Sequence, residues 1–342
     1  MPKVAPVQRR KAEHLRINLE QDVDSALETG LDRLRFTHEA LPELSLEEIS
    51  TNLELFGRRL AAPLLISSMT GGTDEAASIN HHLSEAAAAT GIAMGVGSQR
   101  AAIERPELAA SFQIRRHAPD VLLFANLGAV QLNYGYGLDE CRRAIDMIEA
   151  DALILHLNPL QEALQQGGNT DFGRLAPRIT EICRGVGVPV VAKEVGWGIS
   201  ERTARLLTEC GIAAIDVAGA GGTSWSQVEM RRAPDKFMRQ LAAAFVAWGI
   251  PTAESIVQVR QAAPGVHIFA SGGLRDGIDV AKCIALGATL GGMAGPFLKA
   301  AAESTERAVD AIKLVLQQLR ITMFSVGAAD LARLQSTALK AS

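Results

Sequence analysis

The stretch VHIFASGGLRDGIDVAKCIALGATLGGMAG occupies residues 266–295. Two apolar runs rich in β-forming residues, VHIFASGG and ATLGGMAG, flank the segment DGIDVAKCIALG. That segment starts on the capping residue Asp276 and ends on Gly287, which is typical of the two ends of a helix. The stretch therefore predicts one strand–helix–strand unit.

The same unit recurs toward the N-terminus. Six more apolar runs precede this stretch: PLLIS at 63–67, IAMGVG at 92–97, VLLFAN at 121–126, ALILHLN at 152–158, VPVVAKEV at 188–195 and AAIDVAG at 213–219. Apolar runs without polar alternation are typical of strands buried on both faces, and hence of a parallel sheet. Eight runs separated by helices predict an α/β fold, a (β/α)₈ TIM barrel, with an insertion in the long interval between strands 6 and 7.

A doubly wound sheet is the alternative architecture. It would use fewer strands and place a glycine-rich phosphate loop after the first of them. The segment SMTGG does follow the first run, but it is not G-x-G-x-x-G, and glycine pairs recur after later runs. This distribution of glycines favours the barrel.

The chain outside the barrel strands is mainly helical by its pattern. Residues 1–60 are polar and predict a helical N-terminal extension that packs on the barrel and supplies cations for substrate binding. Residues 61–342 form the barrel, and the part after residue 300 predicts two more helices. Segments 79–91 and 200–211 are helical, ending on Gly91 and Gly211, and Ser200 caps the second.

Composition excludes several classes of protein. Of 342 residues, 48% are hydrophobic and 21% charged, which allows a large core and excludes global disorder. The net charge of −4 disfavours a nucleic-acid binder. The N-terminus lacks the apolar region of a signal peptide, and no apolar run is long enough to cross a bilayer. Four cysteines lie far apart, without a C-x-x-C pair, so we expect reduced thiols in a cytoplasmic protein that does not bind membranes.

Glycine-rich segments follow the last three strands. They are GAGGTS after strand 6, SGGLRDG after strand 7 and GMAG after strand 8. Glycines allow backbone N–H groups to approach a phosphate closely, and barrels often bind phosphate after strands 7 and 8. The glycines could instead only form tight turns. Three such segments at adjacent strand ends favour a phosphate site.

Lys193 ends the apolar fifth strand. A lysine at this position could pair with a buried acid, form a Schiff base or stabilise an anion. Glu194 points to the opposite face and is not an obvious partner. Beside a phosphate site, a flavin would place its N1–C2=O edge near this cation, whereas a Schiff-base aldolase would use the amine as a nucleophile. The spacing of residues in the sequence does not distinguish between these two roles of Lys193.

The end of the fourth strand is the most polar. His156 and Asn158 point to one face by strand alternation, and Gln161 and Glu162 follow. One carboxylate with such neighbours could hold Mg²⁺ together with substrate phosphates, because Mg²⁺ uses few protein carboxylates. The alternative is a hydrogen-bonded helix cap.

A cluster of cations lies near the N-terminus. On a helix, Arg10, Lys11 and His14 share a face. They could bind a compact anion such as a diphosphate, and Arg100 after the second strand could join them. A basic cluster of this kind could also be only a solvated face.

Together these segments resemble one family, the flavin-dependent type 2 isopentenyl-diphosphate isomerases. The motifs span most of the chain in order: RKAEH at 10–14, SSMTGG at 67–72, GSQR at 97–100, HLNPLQE at 156–162, VAKEVG at 191–196, AGAGGTSW at 218–225, SGGLRDG at 271–277 and GMAG at 292–295. Each motif alone is weak, whereas the ordered set is specific.

The resemblance implies an FMN-containing barrel that interconverts isopentenyl and dimethylallyl diphosphate. It implies FMN contacts at Ser68, Met69, Thr70, Ser98, Asn126, Lys193, Thr223, Gly272, Gly273, Ala294 and Gly295. It implies contacts to the substrate diphosphate at Arg10, Lys11, His14, Ser98, Gln99, Arg100, His156, Asn158 and Gln161. Glu162 would bind Mg²⁺, and Lys193, Gln161 and His156 would have catalytic roles.

The implied chemistry moves a proton from C2 to C4 with reduced FMN as acid and base, and with no net redox change. Lys193 would keep the reduced flavin anionic, and NADPH would act only as its reductant. The indole of Trp225 could face a developing cation or only pack. The family implies a homo-oligomer, a tetramer or octamer.

The sequence departs from the family pattern at one place. Residues Gln166-Gly167-Gly168-Asn169 stand where an acidic Glu-Gly-Asp stretch is common in the family.

Three other classes of function stay open: another FMN-dependent barrel enzyme, a Schiff-base lyase and a non-catalytic scaffold. An FMN-dependent oxidoreductase of the inosinate dehydrogenase type needs a cysteine in a strand-end loop, and none of the four is placed there. A hydroxy-acid oxidase needs a late histidine base, and His267 lies inside strand 7, where we expect burial. A Schiff-base lyase could use Lys193. A non-catalytic flavin-binding or phosphate-binding scaffold would not need Glu162, Gln161 or the N-terminal cations.

Overall fold

The computed structural model describes residues 6–341, with side chains from Arg9 onward. The first five residues of the predicted N-terminal extension, and Ser342, lie outside the described residues. Eight parallel strands close a barrel in sequence order, with the last strand paired to the first. The strands are β1 Leu64–Ile66, β2 Ala93–Gly95, β3 Leu123–Gly128, β4 Ala152–Leu157, β5 Val190–Glu194, β6 Ala214–Asp216, β7 His267–Ser271 and β8 Leu290–Met293. All eight predicted strands and the (β/α)₈ barrel are confirmed.

Helices surround the barrel. They are α1 Pro6–Glu20, α2 Asp74–Thr90, α3 Arg100–Glu104, α4 Leu138–Ile148, α5 Pro159–Leu164, α6 Leu175–Gly185, α7 Glu201–Glu209, α8 Trp225–Arg232, α9 Lys236–Ala243, α10 Thr252–Ala262, α11 Gly277–Leu286, α12 Gly295–Glu303, α13 Thr305–Ser325 and α14 Leu331–Gln335. Helices α8 and α9 lie in the interval between β6 and β7, where the sequence predicts an insertion. Within residues 6–341, no helix has both the length and the apolar character that crossing a membrane requires.

The predicted helix ends have the expected geometry. The Asp276 carboxylate accepts from the N–H groups of Ile278 and Asp279 at the start of α11. The hydroxyl of Ser200 caps α7, and Gly91 ends α2 with a φ of 67°. Residues with φ near this value are mostly glycine, because a Cβ atom is strained there.

Apolar side chains form two layers. A large layer lies between the strands and the surrounding helices, and a smaller cluster fills the barrel interior. A hairpin of strands Leu53–Leu55 and Arg58–Leu60 closes the N-terminal end of the barrel. At its turn, the Phe56 ring packs against Phe124 and Phe269. The opposite end is therefore the open one.

The segment after α1 differs from the helical prediction. Beyond Glu20 it contains only the short 3₁₀ turns Leu31–Arg33 and Leu46–Glu48 as helical elements. Strand Leu34–Phe36 follows the first turn and pairs with Leu339–Ala341 near the C-terminus. In this strand an exposed residue stands between two half-buried ones, which is the two-residue period of a strand. The prediction of a helix across this segment is wrong because the partner strand lies about 300 residues away in the sequence.

Candidate active site

A cavity of about 840 Å³ opens at the C-terminal ends of the strands. This is the end at which barrel enzymes carry their active sites, and the volume lies within the roughly 300–1,000 Å³ of small-molecule sites. Loops after all eight strands form its walls, and α1 with the segment that follows it borders its mouth. The cavity is lined by every residue predicted to contact FMN: Ser68, Met69, Thr70, Ser98, Asn126, Lys193, Thr223, Gly272, Gly273, Ala294 and Gly295.

The residues predicted to bind substrate and metal line the same cavity, with one exception. Those present are Arg10, Lys11, His14, Ser98, Arg100, His156, Asn158, Gln161 and Glu162. The prediction for the Gln99 side chain is wrong, because it is fully buried away from the cavity. Its Nε2 donates to the carbonyl of Ala144 (2.8 Å), and its Oε1 accepts from the backbone N–H of Asn126 (2.9 Å). Gln99 therefore fixes β3 while its neighbours Ser98 and Arg100 face the cavity.

Three buried oxygens at the cavity have no hydrogen-bond partner among the described residues. They are the hydroxyls of Ser67 and Ser68 and the Oδ1 atom of Asn158. Buried polar atoms in proteins are nearly always hydrogen-bonded, so these atoms fit a polar ligand. The two hydroxyls follow β1, at the position predicted for flavin.

The loops after β6 and β7 touch backbone to backbone. A Cβ atom on Gly272 would lie 2.1 Å from the carbonyl oxygen of Gly219, and one on Gly273 would lie 2.2 Å from that of Gly221. Both Gly272 and Gly273 have positive φ, at 106° and 80°. Only glycine fits these positions, and Gly295 begins the nine-residue helix α12 beside them. Exposed N–H groups next to a helix N-terminus suit a phosphate.

Lys193 contacts two oxygens from the next two strands, β6 and β7. Its Nζ lies 2.7 Å from Oδ2 of Asp216 and 3.0 Å from the hydroxyl of Ser271, which in turn donates to Oδ1 of Asp216 (2.5 Å). The register that places Lys193 beside Asp216 brings this pair together. A lysine held in an ion pair is a fixed cation and not a free amine, so the site favours anion stabilisation over a Schiff base.

Glu194 turns away from Lys193. Its Oε2 accepts from the backbone N–H groups of Val195, Gly196 and Trp197, at 2.6–2.7 Å. Burial raises the pKa of Glu194 to about 7, although the three N–H groups lower it. This carboxyl therefore shapes the loop after β5, in agreement with the prediction that it faces away from the Lys193 side.

His156 is a neutral, oriented imidazole. Its Nδ1 lies 2.8 Å from Oδ1 of Asn126, whose Nδ2 donates to the carbonyl of Val96. Nδ1 therefore donates, and Nε2 has a free lone pair. Burial lowers the pKa of His156 to about 4, and the nearby cations Lys193 and Lys11 add to the shift.

Glu162 is a buried carboxylate in a shell of amides. It accepts from Nδ2 of Asn158 (3.0 Å), Nε2 of Gln165 (3.4 Å) and the backbone N–H of Asn169 (2.5 Å). A Cβ on Gly168 would lie 2.0 Å from the carbonyl of Glu162, so only glycine lets the loop close this tightly. The carboxylate is thus fixed at the cavity wall.

Asn169 connects this carboxylate to the predicted anion site. Its Oδ1 accepts from Nη1 of Arg100 (2.9 Å) and from Nε2 of Gln131 (3.3 Å). Asn169 lies in the segment that departs from the family pattern. A neutral amide oxygen at this position orients the guanidinium without cancelling its charge.

Lys11 and Arg10 are two cationic side chains of α1 that line the cavity. The ammonium of Lys11 donates to the carbonyls of Gly71 (3.0 Å) and Ser98 (2.6 Å), and lies 5.2 Å from the Phe112 ring centre. Burial lowers the pKa of Lys11 to about 7, and Arg10 lowers it further. Arg10 itself is half-buried, and this burial lowers its pKa, as does nearby Arg100. An anion would relieve this repulsion.

His14 connects α1 to α8. Its Nε2 lies 3.0 Å from Oε1 of Glu229, and its ring meets that of Trp225 edge to face at 5.0 Å. Arg232 holds the other Glu229 oxygen (2.6 Å). Burial lowers the pKa of His14 even though Glu229 raises it. In this arrangement Trp225 packs against a side chain while it also lines the cavity.

Four partners were missed from the sequence: Asp216, Ser271, Glu229 and Asn169. An aspartate in the middle of the apolar run AAIDVAG is itself a signal, because buried acids are paired. Ser271 begins the quoted motif SGGLRDG. Nothing in the sequence around Glu229 indicates its contact with His14, which is 215 residues away.

Two of the alternatives lose support from the geometry. His267 is not buried as expected, because it is the exposed first residue of β7, at the closed end of the barrel beside Phe56. It therefore lies far from the cavity and cannot act as its base. Cys141 is buried, which raises the pKa of its thiol to about 12, so it is not a nucleophile.

The chain is similar to proteins of two overlapping groups. The family described as FMN-dependent dehydrogenase matches residues 161–341. A relative named isopentenyl-diphosphate delta-isomerase from Nostoc sp. is 54% identical and covers 97% of this chain and 95% of the relative. Relatives with the same name from Stutzerimonas stutzeri and Rickettsia rickettsii are 53% and 46% identical, with 96% and 97% of both chains covered.

Solved structures with this fold include mandelate oxidase with (S)-2-phenylpropionate. It has a TM-score of 0.69, 19% identity, and coverage of 98% of this chain and 97% of the oxidase. At this identity the likeness extends to the fold alone. The full-length identity to the curated relatives decides the family: the chain belongs to the isopentenyl-diphosphate delta-isomerases and, over residues 161–341, to the FMN-dependent dehydrogenase family.

Proposed function

We propose that this protein interconverts isopentenyl diphosphate and dimethylallyl diphosphate with the help of FMN. The main support for this proposal is that three features line one cavity: the cations of α1, the carboxylate of Glu162 and the glycine-rich loops. Binding of a flavin alone would need neither Arg10 nor the fixed carboxylate. Binding of a diphosphate beside a flavin needs both.

The diphosphate would lie among Arg10, Lys11 and Arg100. The repulsion among these half-buried cations in the free protein makes binding of an anion there favourable. Ser98, Asn158 and Gln161 add hydrogen-bonding groups. His156 would have to accept a proton at Nε2 in order to donate to a phosphate oxygen, and an adjacent anion favours that protonation.

FMN would bind beside the diphosphate in the same cavity. The orphan hydroxyl of Ser68 and the backbone around Gly272, Gly273 and Gly295 would hold it. When bound in its reduced form, FMN supplies acid–base chemistry at the alkene. Lys193 would hold a cation at the reduced ring system, and Asp216 with Ser271 keeps that cation in place.

The reaction removes a proton from C2 and adds one at C4, so it has no net redox change. The protein's task is to hold the alkene and exclude water while the diphosphate fixes the far end of the substrate. Gln161 would position the isoprenoid carbons. NADPH would enter as a reductant of the cofactor and not as a stoichiometric substrate.

Mg²⁺ would bind at Glu162. The carboxylate is buried at the cavity wall, and the unpartnered Oδ1 of Asn158 is an oxygen ligand of the kind that Mg²⁺ prefers. The remaining positions would be filled by diphosphate oxygens and water. Glu162→Gln should therefore abolish Mg²⁺-dependent turnover while flavin absorbance is retained, and normal Mg²⁺ activation in that variant would place the metal elsewhere.

Isomerisation in D₂O tests the proposal. The protein is incubated anaerobically with isopentenyl diphosphate, Mg²⁺, FMN and NADPH, and dimethylallyl diphosphate is followed by NMR. We expect deuterated product and only catalytic consumption of NADPH. Bound flavin without product would direct attention to an oxidoreductase, and no flavin after reconstitution would overturn the cofactor assignment.

We further propose that residues 1–60 form an extension serving the barrel of residues 61–342. The contacts of α1 with α8 and α12 support this division.

We also propose a cytoplasmic homo-oligomer, a tetramer or octamer. Four free thiols fit a reducing compartment, and the largely exposed Phe237 and Trp248 in the insertion fit a subunit contact. Light scattering of the purified protein measures the assembly.

A further inference from the structure

A cluster of metal-ligating side chains lies on the outside of the barrel, apart from the cavity. His81 and Glu85 stand one turn apart on α2, and His117 belongs to the 3₁₀ turn Arg115–His117. One ligand atom from each lies within 4.8 Å of the others, and none of the three residues lines the cavity. We propose that this cluster binds a divalent transition-metal ion of the zinc class.

The distances fit such an ion. Nε2 of His81 lies 3.2 Å from Oε1 of Glu85 and 3.2 Å from Nδ1 of His117. Ligands bound at about 2.0–2.1 Å to a tetrahedral ion lie roughly 3.3–3.4 Å apart. Nε2 of His81 therefore already stands at the spacing of neighbouring ligands from both other groups, and all three ligand atoms lie within 4.8 Å of one another. Nitrogen-rich ligand sets of this kind favour zinc over Mg²⁺, which prefers oxygen.

The carboxylate is also oriented from outside the cluster. The hydroxyl of Thr305, at the start of α13, donates to Oε2 of Glu85 (2.7 Å). This contact leaves Oε1 directed at His81. Hydrogen bonds that hold a ligand carboxylate in place are typical of metal sites. The ion would thus join α2, the 3₁₀ turn and the start of α13.

While Arg116 holds Nε2 of His117, protons alone do not satisfy the cluster. The Nε–H of Arg116 donates to Nε2 of His117 (2.8 Å), so in neutral His117 the proton is on Nδ1 and points at Nε2 of His81. Nε2 of His81 must then be an acceptor. It nevertheless also faces Oε1 of Glu85, which can only accept. If Nε2 of His81 instead bears a proton, two N–H groups face each other.

A cation at the centre removes this conflict. It accepts lone pairs from Nε2 of His81, Oε1 of Glu85 and Nδ1 of His117 together. The proton of His117 then moves to Nε2, and the exposed Arg116 side chain must turn away. Arg116 is therefore a competitor of the metal and not a ligand, which gives a specific expectation for its removal.

Calorimetric titration with Zn²⁺ tests the proposal. Untagged protein is freed of metal with EDTA and titrated without substrate in excess Mg²⁺, with Co²⁺ absorbance as a second readout. We expect one equivalent bound, at least tenfold weaker binding in His81→Ala and His117→Gln, and about a tenfold loss in Thr305→Val. Arg116→Ala should bind as tightly as the parent or tighter. His38→Ala, which removes an exposed histidine elsewhere, should leave binding unchanged.

Two controls make the result decisive. Glu162→Gln should retain the Zn²⁺ site, because that residue belongs to the cavity. Flavin content and isomerase activity of the His81 and His117 variants should equal those of the parent, which shows that they fold. Absence of Zn²⁺ binding, or one equivalent that persists unchanged in both histidine variants, would overturn the proposal. Loss of binding in Arg116→Ala would contradict the ligand set.

Discussion

Lys193 is a buried cation whose partner Asp216 is fully buried as well. Removal of one member of such a pair leaves an uncompensated charge and typically costs about 3–5 kcal/mol. We expect Lys193→Met to lower the free energy of unfolding by that amount and to weaken flavin retention. Chemical denaturation and flavin absorbance measure the two effects.

The double variant Lys193→Met/Asp216→Asn separates stability from function. It removes both charges, so stability should return toward that of the parent, whereas isomerase activity should stay low because the cation is absent. If the double variant recovered activity as well, Lys193 would have no part in the reaction.

Asn169 has no predicted role in the sequence, yet it orients Arg100 through its Oδ1 atom and Glu162 through its N–H. A hydrogen bond to a charged group contributes about 1.5–3 kcal/mol, so Asn169→Ala should raise KM for the diphosphate substrate roughly tenfold or more. The backbone contact to Glu162 remains, so kcat should change less. Asn169→Gln keeps a neutral amide acceptor and serves as the matched control, with KM within a few-fold of the parent. Equal effects of the two substitutions on KM would remove this positioning role.

Helix α1 places Lys11 at the cavity, and the charge of this lysine depends on pH. Burial lowers the pKa of Lys11 from 10.5 to about 7, so the free protein loses this charge as pH rises through 7. Since a diphosphate requires the ammonium, kcat/KM should fall across that range. The pH profile of kcat/KM reports groups of the free enzyme, so this limb should be visible there.

Lys11→Arg tests this assignment, because arginine keeps its charge across the same range. The descending limb should disappear in the variant, while ionisation of the substrate affects both proteins alike. The same limb in both proteins would assign it to another group.

The free energy of unfolding should change with pH in the opposite direction to kcat/KM. The unfolded chain holds more protons between pH 7 and 10.5, so the lysine's contribution to stability rises with pH.

Elements with a strong local pattern could be predicted, and contacts between distant elements could not. The eight apolar runs and the capped helices are local signals, and each has its element in the structure. Strand Leu34–Phe36 depends on a partner near the C-terminus, and the pairing of Lys193 with Asp216 depends on the register of two strands. The direction of the Gln99 side chain depends on its hydrogen bonds to Ala144 and Asn126. None of these three follows from residue type or spacing.

In the molecule as a whole, the two ends of the barrel differ: the hairpin packs against the interior cluster at one end, and the active-site cavity lies at the other. The hairpin at the closed end buries Leu60, which is 1% exposed, in the interior cluster. Leu60→Ala should lower the free energy of unfolding by about 2–5 kcal/mol, because it removes buried methyl groups and leaves a cavity.

The same substitution should leave kcat and KM unchanged at temperatures where the variant is folded, because the loops that line the active-site cavity lie at the other end of the strands. Arg59→Ala, at the exposed neighbouring position of the same strand, should alter the free energy of unfolding by less than about 0.5 kcal/mol. Urea denaturation and steady-state kinetics of the three proteins decide the matter. A loss of activity in fully folded Leu60→Ala would show that packing at the closed end is transmitted along the strands to the active-site cavity, and the two ends would then not be independent.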